Sequence, residues 1–427
     1  MHTLGNRTSR LGLGALVAAV LSLAPLAPVV SSAGTATTRS GLTVLTDPVA
    51  PPAPAPSALG QSALVPLPAP LRDTFALDSR PGSSRTLFLK FTGGTVAGTA
   101  FNADFGLDSI TARPWSITPP VDTNFSPTEL AEIQRAWQVT AEDFAPFDVN
   151  VTTRTPAPDA LDRSSDADAS YGATVLVTQG GPLQAACRCG GLAYGNVFGA
   201  VGAAKDYAQP AFVFGSYSGE DIGEGVSHEA GHLFGLMHDG TATLAYYDGR
   251  APWSPIMGSS FSQPVSQWSL GEYPGANNTQ DDVAIIARSA PIRPDDHGDT
   301  AATATPLVPG TVVNGVITTR TDVDAFIFTA SGPVTLTAST LAVKADLDVG
   351  LRITDAAGNT VATVDAPTTR DTRLKALGLG ATWTATLPRT PATYVAYVDG
   401  VGTGSPTTPG RYSDYGSLGT YRLLLLR

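Results

Sequence analysis

The amino-acid sequence predicts two folded domains in series, an α/β layered domain followed by an all-β sandwich. Between residues 85 and 292, strand-like runs alternate with helix-like runs, as they do where helices pack on a sheet. Beyond residue 292 the runs are strand-like only and turn signals separate them, which is typical of a β-sandwich. The composition agrees, because 44 Gly and 34 Pro with only 15% charged residues favour loops and strands over long helices.

The first 33 residues have the three-part pattern of a secretory signal peptide. Arg7 and Arg10 precede an uncharged apolar stretch over 11–27, and small residues follow at 31–33. The alternative is a membrane anchor, but two prolines interrupt the stretch and no basic cluster follows it. We therefore expect a secreted, extracellular protein without stable membrane insertion.

Residues 34–84 are predicted to be a Pro/Ala-rich pro-segment or linker. The run PVAPPAPAPSALG over 48–60 favours extended, solvated backbone, and such a segment builds no core. Because this segment contains no cysteine, it offers no thiolate to a metal. Both cysteines, Cys187 and Cys189, lie further along the chain, and their spacing leaves a disulfide and a free pair open.

Within the first domain, predicted over 85–292, the clearest helix signal begins at Ser126. This residue and Glu129 form a capping box around Pro127, and apolar residues then recur every three to four positions up to Phe144. A second helix is predicted from about residue 219 to 236. Strands are predicted over 86–91, 148–153, 173–178 and 211–217.

The second domain is predicted over 293–427. Short strand-like runs separated by turn residues indicate a sandwich of antiparallel strands. These runs cover 312–317, 324–330, 334–339, 347–356, 393–400 and 421–426.

The run HEAGHLFGLMH, which begins at His228, has the residue types and the spacing of a catalytic zinc site. Positions four apart on a helix lie on one face, one turn apart, so His228 and His232 present both imidazoles to one metal. Glu229 follows the first ligand and is placed to act as general base on a metal-activated water. Gly235 ends the helix with a positive φ, which lets the chain return and bring His238 as a third ligand.

Three protein ligands leave the fourth position of a tetrahedral zinc for water, which a catalytic site needs and a structural site does not. A coincidental match on an ordinary core helix is the alternative. However, three of the five histidines in the chain fall in this one run. We therefore predict one catalytic Zn²⁺.

The pattern HExxHxxGxxH resembles the signature of the metzincin clan of zinc metallopeptidases. That clan also has a methionine-containing turn beneath the metal, and Met257 in the run Ser-Pro-Ile-Met-Gly is similar to it, the alternative being an ordinary buried methionine. Asp239 is similar to the aspartate that follows the third histidine in the reprolysin branch, which makes it a candidate supporting residue around the metal. Ser259 stands where some metzincins have a tyrosine ligand, so no tyrosine ligand is expected at that place.

The resemblance to bacterial secreted metzincin-like proteins covers about 85–292, on the stretches 140–156, 227–240 and 253–286. It implies an α+β, zincin-like catalytic domain that hydrolyses peptide bonds in protein or peptide substrates. It also implies that an extended substrate binds beside an edge strand, for which we expect 211–217. The acidic residues that such proteins carry in the first strand are absent here, where the sequence is LKFTG.

The second domain resembles the bacterial pre-peptidase C-terminal domain, a jelly-roll-like β-sandwich found behind secreted peptidases. The stretches that carry the resemblance are 295–307, 321–330 and 412–423. Asp295, Asp296 and Asp299 lie at its start and offer oxygen ligands to Ca²⁺, or they form a solvated acidic linker.

The predicted function is that of a secreted zinc metalloendopeptidase. The alternative from another class is a surface- or polymer-binding protein with a vestigial zinc site, and within enzymes it is an exopeptidase, for which the sequence shows no group that would hold a peptide terminus. A nucleic-acid partner is not expected, because a chain with a net charge of −11 gains nothing from neutralising phosphates.

Overall fold

A computed structural model describes residues 34–38, 40–48, 66–157 and 159–427, with backbone alone for 34–37. The predicted signal peptide lies outside the described residues. The strands that precede the sandwich are β1 Gly34–Thr37, β2 Thr43–Asp47, β3 Arg85–Lys90, β4 Gly94–Val96, β5 Ile110–Ala112, β6 Asn150–Thr152, β7 Tyr171–Thr178, β8 Gly191–Tyr194, β9 Ala211–Phe214, β10 Trp253–Pro255 and β11 Val265–Gln267.

A seven-stranded mixed sheet forms the centre of the first domain, with its strands in the order β1-β2-β8-β9-β7-β3-β6. Strands β9, β7, β3 and β6 run parallel to one another, whereas β8, β2 and β1 are added antiparallel at the other end. Strand β9 therefore lies inside the sheet, and the expectation that 211–217 provides the edge strand is wrong. Beside the cleft, β8 pairs with β9 on one side and with β2 on the other.

Two long helices pack against each other on this sheet, and the sequence accounts for both. The helices are α1 Ala100–Phe105, α2 Pro127–Asp143, α3 Pro182–Cys187, α4 Ala203–Tyr207, α5 Gly219–Phe234 and α6 Asp282–Ile286, with 3-10 turns at Leu71–Ala76 and Ser260–Ser262. The capping box at Ser126 is present at the start of α2. Helix α5 begins after Ser218, whose side chain accepts from the Asp221 amide, and ends at Gly235 with φ 110°.

The segment predicted to build no core contributes to it at β2. Val44 and Leu45 are fully buried, because β2 pairs with β8 and its side chains enter the core of the first domain. The described residues before β3 also pack on the body: the Ala69 amide donates to Gln134 Oε1 at 3.1 Å, on α2. The Pro/Ala composition concealed these contacts, since only a few apolar residues make them.

The second domain is built from strands alone. They are β12 Thr305–Pro306, β13 Val312–Ile317, β14 Val323–Ser339, β15 Val349–Asp355, β16 Thr360–Val364, β17 Thr369–Arg370, β18 Ala376–Leu377, β19 Ala381–Gly400 and β20 Gly419–Leu426. The main sheet has the order β13-β20-β14-β19-β15-β16, with β12 also paired to β14. The runs predicted over 324–330 and 334–339 form one strand, which carries an irregularity between Ala330 and Gly332 and continues through it.

The sandwich docks on the first domain through buried polar contacts. The Lys344 ammonium donates to the carbonyl oxygens of Ser260 and Gln263 at 2.7 Å each, and it lies 3.4 Å from a carboxylate oxygen of Glu224. Lys344 and Glu224 are both fully buried. Glu224 lies on α5 one turn before His228. The second domain therefore contacts the helix that carries two of the predicted metal ligands.

Candidate metal centre

The three predicted histidine ligands converge. On α5 the rings of His228 and His232 have centroids 4.9 Å apart, and the His238 ring lies 4.7 Å from that of His232. The Nε2 atoms of His232 and His238 are 3.0 Å apart. Gly235 makes this possible, because its left-handed conformation ends α5 and turns the chain back toward the helix.

The other ring nitrogens of two of these histidines are held by backbone carbonyls. His228 Nδ1 lies 2.8 Å from the Ile256 oxygen, and His232 Nδ1 lies 2.8 Å from the Leu236 oxygen. In the tautomer in which each Nδ1–H donates to these carbonyls, the Nε2 lone pair is the one that binds a metal. This second layer of contacts is what orients histidine ligands around a metal.

Met257 lies directly beneath the histidines. It is fully buried, and the position that a Cβ on Gly231 would occupy is 2.4 Å from the Met257 sulfur. Only glycine at the fourth position of the HEAGH run lets the methionine approach so closely. The Met257 carbonyl in turn accepts from the Asp239 amide at 2.8 Å, which joins this turn to the residue after the third histidine.

Glu229 lies beside the histidines with its carboxyl against β8. A Cβ on Gly191 would lie 1.5 Å from Glu229 Oε1, so a glycine at this place in the strand leaves the space for the carboxyl. Glu229 is 2% exposed, and its Oε2 has no hydrogen-bond partner among the described residues. Burial, and then the neighbouring Asp47 carboxylate, raise the pKa of Glu229 well above its usual range.

An unpredicted residue, Asp47 at the end of β2, completes the cluster. Its Oδ1 lies 3.0 Å from His228 Nε2 and 2.9 Å from His238 Nε2, and its Oδ2 lies 3.6 Å from His232 Nε2. Burial would raise the pKa of this carboxyl, but the charge of His228 and the hydrogen bonds of the three imidazoles outweigh it and hold the pKa well below its usual range.

The donor set fits a tetrahedral zinc. Four atoms that each lie about 2.1 Å from one ion lie roughly 3.4 Å from one another. The separations above, from 2.9 to 3.6 Å, bracket that value, and one ligand atom from each of the four side chains lies within 4.8 Å of the others. Imidazole nitrogens and a carboxylate oxygen are ligands that zinc accepts. The residues present are therefore suited to hold the ion.

Tyr246 is a second residue that the sequence did not reveal. Its hydroxyl lies 2.9 Å from Asp47 Oδ1, 2.9 Å from the Thr46 carbonyl and 3.4 Å from His238 Nε2. The hydroxyl thus faces whatever group occupies the place of the Asp47 carboxylate. No signal in the sequence distinguishes Tyr246 from its neighbour Tyr247, whose ring stacks on Tyr273 instead.

Asp239, the predicted supporting residue, is buried beneath the cluster. Its Oδ1 accepts from the Asn278 side chain at 3.2 Å, and burial raises its pKa to about 7. Burial lowers the pKa of His228, and the negative charge of Asp239 is one of the influences that raise it. Ser259, by contrast, lies among the residues that line the cleft in front of the cluster.

The cleft has a volume of about 320 Å³ and opens in front of Glu229. Its far wall is apolar and comes from the end of β9 and from the segment after Met257. The lining residues that give it this character are Val213, Phe214, Tyr217 and Phe261. A cleft with a few polar groups at one end of an apolar wall suits an organic ligand with an apolar side chain.

A second group of possible metal ligands lies in the second domain. Asp295 joins Asp322 and Asp324 there, whereas Asp296 accepts from the Val316 amide at 3.3 Å. Asp322 and Asp324 are buried, and the Oδ1 atom of each has no hydrogen-bond partner in the described part of the chain. Burial raises the pKa of Asp324 to about 8. These oxygens are of the type that calcium prefers.

The two cysteines are joined in a disulfide, which decides between the alternatives left by their spacing. The bridge lies at the end of α3, directly before β8, and both residues are buried. It directly precedes Gly190 and Gly191, which line the cleft, and it offers no free thiol.

Comparison with known proteins gives little. No protein-family model matches the chain, and no curated protein matches it significantly. Among solved structures, it is similar to the pre-peptidase C-terminal domain of a collagenase from Bacillus anthracis, with 14% identity over 31% of this chain and 97% of that one and a TM-score of 0.17. It is also similar to PliG, a periplasmic inhibitor of g-type lysozyme from Aeromonas hydrophila, with 12% identity over 29% of this chain and 94% of that one and a TM-score of 0.18.

Likenesses with such TM-scores carry no argument about what this chain does. The structure itself is rich in β-sheet, as a domain of sandwich type requires. Over the residues that the structure describes, no helix combines the length and the apolar character needed to cross a membrane.

Proposed function

We propose that the protein is a secreted, zinc-dependent endopeptidase of the metzincin type, with residues 293–427 as a pre-peptidase C-terminal domain. The observation that supports this most is the convergence of His228, His232 and His238 beside the buried carboxyl of Glu229. The Oε2 atom of this carboxyl is buried without a hydrogen-bond partner among the described residues, which is costly and is typical of sites where chemistry needs the group.

Zinc held by the three histidines would supply an activated water and a Lewis acid that polarises the scissile carbonyl. Glu229 takes a proton from the attacking water and delivers it to the leaving amine. The Tyr246 hydroxyl is placed to donate to the developing oxyanion.

The substrate is a polypeptide in extended conformation. When the edge of β8 is free, it presents backbone groups to a peptide strand, and the apolar wall of the cleft receives one side chain of that peptide.

The test is Glu229→Ala in the full chain, after activation. We expect the variant to keep one zinc per chain and to lose cleavage of casein by at least a hundredfold, because the three ligands stay and the proton carrier goes. Glu272→Ala, at a half-buried glutamate away from the cleft, is the control and keeps both properties. Full activity in the Glu229 variant, or no zinc in the parent protein, would contradict the proposal.

A further inference from the structure

The N-terminal hairpin of β1 and β2 covers the site where a substrate would bind. Strand β2 pairs antiparallel with β8 and places Asp47 opposite Gly191. The Gly190 amide donates to the Asp47 carbonyl at 2.7 Å, and the Gly195 amide donates to the Thr43 carbonyl at 3.1 Å. The chain's own segment thus makes the backbone hydrogen bonds that an extended peptide would make with this edge.

We propose that Asp47 is an intramolecular fourth ligand of the metal, and that β2 holds the peptidase in a latent state until it leaves β8. The proposal rests on the proposed function and adds its regulation. Asp47 is 7% exposed and contacts all three histidines through its carboxylate. With this carboxylate in place, four protein ligands surround the ion and no position is left for water.

The hairpin is anchored at a distance from the metal as well. The Ser40 amide and hydroxyl each donate to a different oxygen of Asp104 at 2.9 Å. Asp104 is 1% exposed and also accepts from the Tyr194 hydroxyl on β8. A buried carboxylate that receives three donors fixes the hairpin turn, which in turn fixes where β2 delivers Asp47.

A permanently closed, structural metal site is the competing interpretation. The surroundings of Asp47 argue against it. A structural site has no use for Glu229, whose buried Oε2 lacks a partner, nor for the cleft of about 320 Å³ in front of it. Both features are useful once the fourth position is open, so the closed arrangement is one of two states.

The experiment measures access to the fourth position directly. The full chain is loaded with Co²⁺ in place of zinc and titrated with acetohydroxamate, a small chelator whose binding changes the visible absorption of the metal. We expect Asp47→Ala to bind the chelator at least tenfold more tightly than the parent, because the intramolecular ligand no longer competes. Asp73→Ala, at an exposed aspartate of the same segment, is the control and should match the parent.

Asp47→Asn guards against misfolding, since it keeps the shape of the side chain and the pairing of β2. Equal chelator affinity in parent, Asp47→Ala and Asp47→Asn would overturn the latency proposal and leave the peptidase proposal standing. Tight chelator binding by the Asp47 variants without casein cleavage would support the ligand assignment and count against the peptidase. A parent chain that binds no metal would overturn both.

Discussion

The hydroxyl of Tyr246 has a role in both of the states that we propose for the site. In the closed state it donates to the carboxylate of Asp47. In the proposed open state, without β2, the same hydroxyl would face the place where the oxygen of a peptide carbonyl gains negative charge. It would therefore serve as a donor in the latent and the active state without rearrangement.

Tyr246→Phe, made in the Asp47→Ala background, should lower kcat for a peptide substrate by about 10- to 100-fold, the range seen when a single oxyanion donor is removed or weakened. Zinc content and KM should stay near those of the background, because the hydroxyl is not needed to hold the metal or the peptide. Tyr247→Phe changes the adjacent residue, which stacks on Tyr273 and faces away from the metal. An equal loss in both variants would show that the effect is structural.

The sequence anticipated the histidines, the glutamate and the methionine because their relations are local. A helix of known geometry, one glycine and one short turn place them, and each leaves a signal within about thirty residues. Asp47 and Tyr246 reach the cluster by tertiary contacts alone. An aspartate at the start of a Pro/Ala-rich run and one of two adjacent tyrosines carry no pattern that distinguishes them.

At the scale of elements, helix α2 was foreseen because its capping box and its apolar periodicity agree, and the end of helix α5 was foreseen from Gly235. Strand β8 was not foreseen, since GLAY is four residues long and gives no alternation. Its partner β2 has only five residues, and it lies in a segment whose average composition is rich in Pro and Ala and so does not predict a strand. The sequence therefore did not reveal that β8 and β2 extend the sheet beyond β9. The structure shows it, and this is why β9 is an interior strand.

Gly191 in β8 links this edge to the chemistry. An alanine there places its Cβ where the Glu229 carboxyl lies, and because that carboxyl is the end of a flexible side chain, it moves while the fold persists. We expect Gly191→Ala in the Asp47→Ala background to lose at least tenfold in kcat and to keep its zinc. Gly195→Ala, for which the nearest atom would be a Leu45 methyl at 3.3 Å, is the control. Loss of zinc in the Gly191 variant would contradict this assignment.

At the scale of the whole molecule, the second domain stabilises the helix that carries His228 and His232. Lys344 supplies the cation beside the buried Glu224, and it adopts a left-handed backbone conformation with φ 48° to do so. Removing one partner of a buried ion pair leaves an uncompensated charge, at a typical cost of about 3–5 kcal/mol. The sandwich therefore cannot be removed from the first domain without loss of stability in α5.

A second contact between the domains makes stability depend on pH. Glu142, at the end of α2, accepts from the amide and the hydroxyl of Thr420 on β20. Burial raises its pKa from the ordinary 4.5 to about 7. Two further buried carboxyls at this joint also have raised pKa values. Burial, and then the charge of Glu224, raise the pKa of Asp143, whereas burial, and then the charge of Asp143, raise that of Asp346.

The sign follows from where the proton resides. Below pH 4.5 the Glu142 carboxyl is protonated in the folded and unfolded chains alike, and its contribution to stability is fully present. Between pH 4.5 and about 7 the unfolded chain releases the proton while the folded chain keeps it, so the free energy of unfolding falls, by roughly 3 kcal/mol from this group.

Glu142→Gln removes the titration of this group and should flatten that part of the profile of unfolding free energy against pH, measured by urea unfolding in steps from pH 4 to 8. Asp73→Asn, which alters an exposed carboxyl, should leave the slope unchanged. A Glu142 variant with the slope of the parent would mean that Glu142 itself takes up no proton on folding in that range.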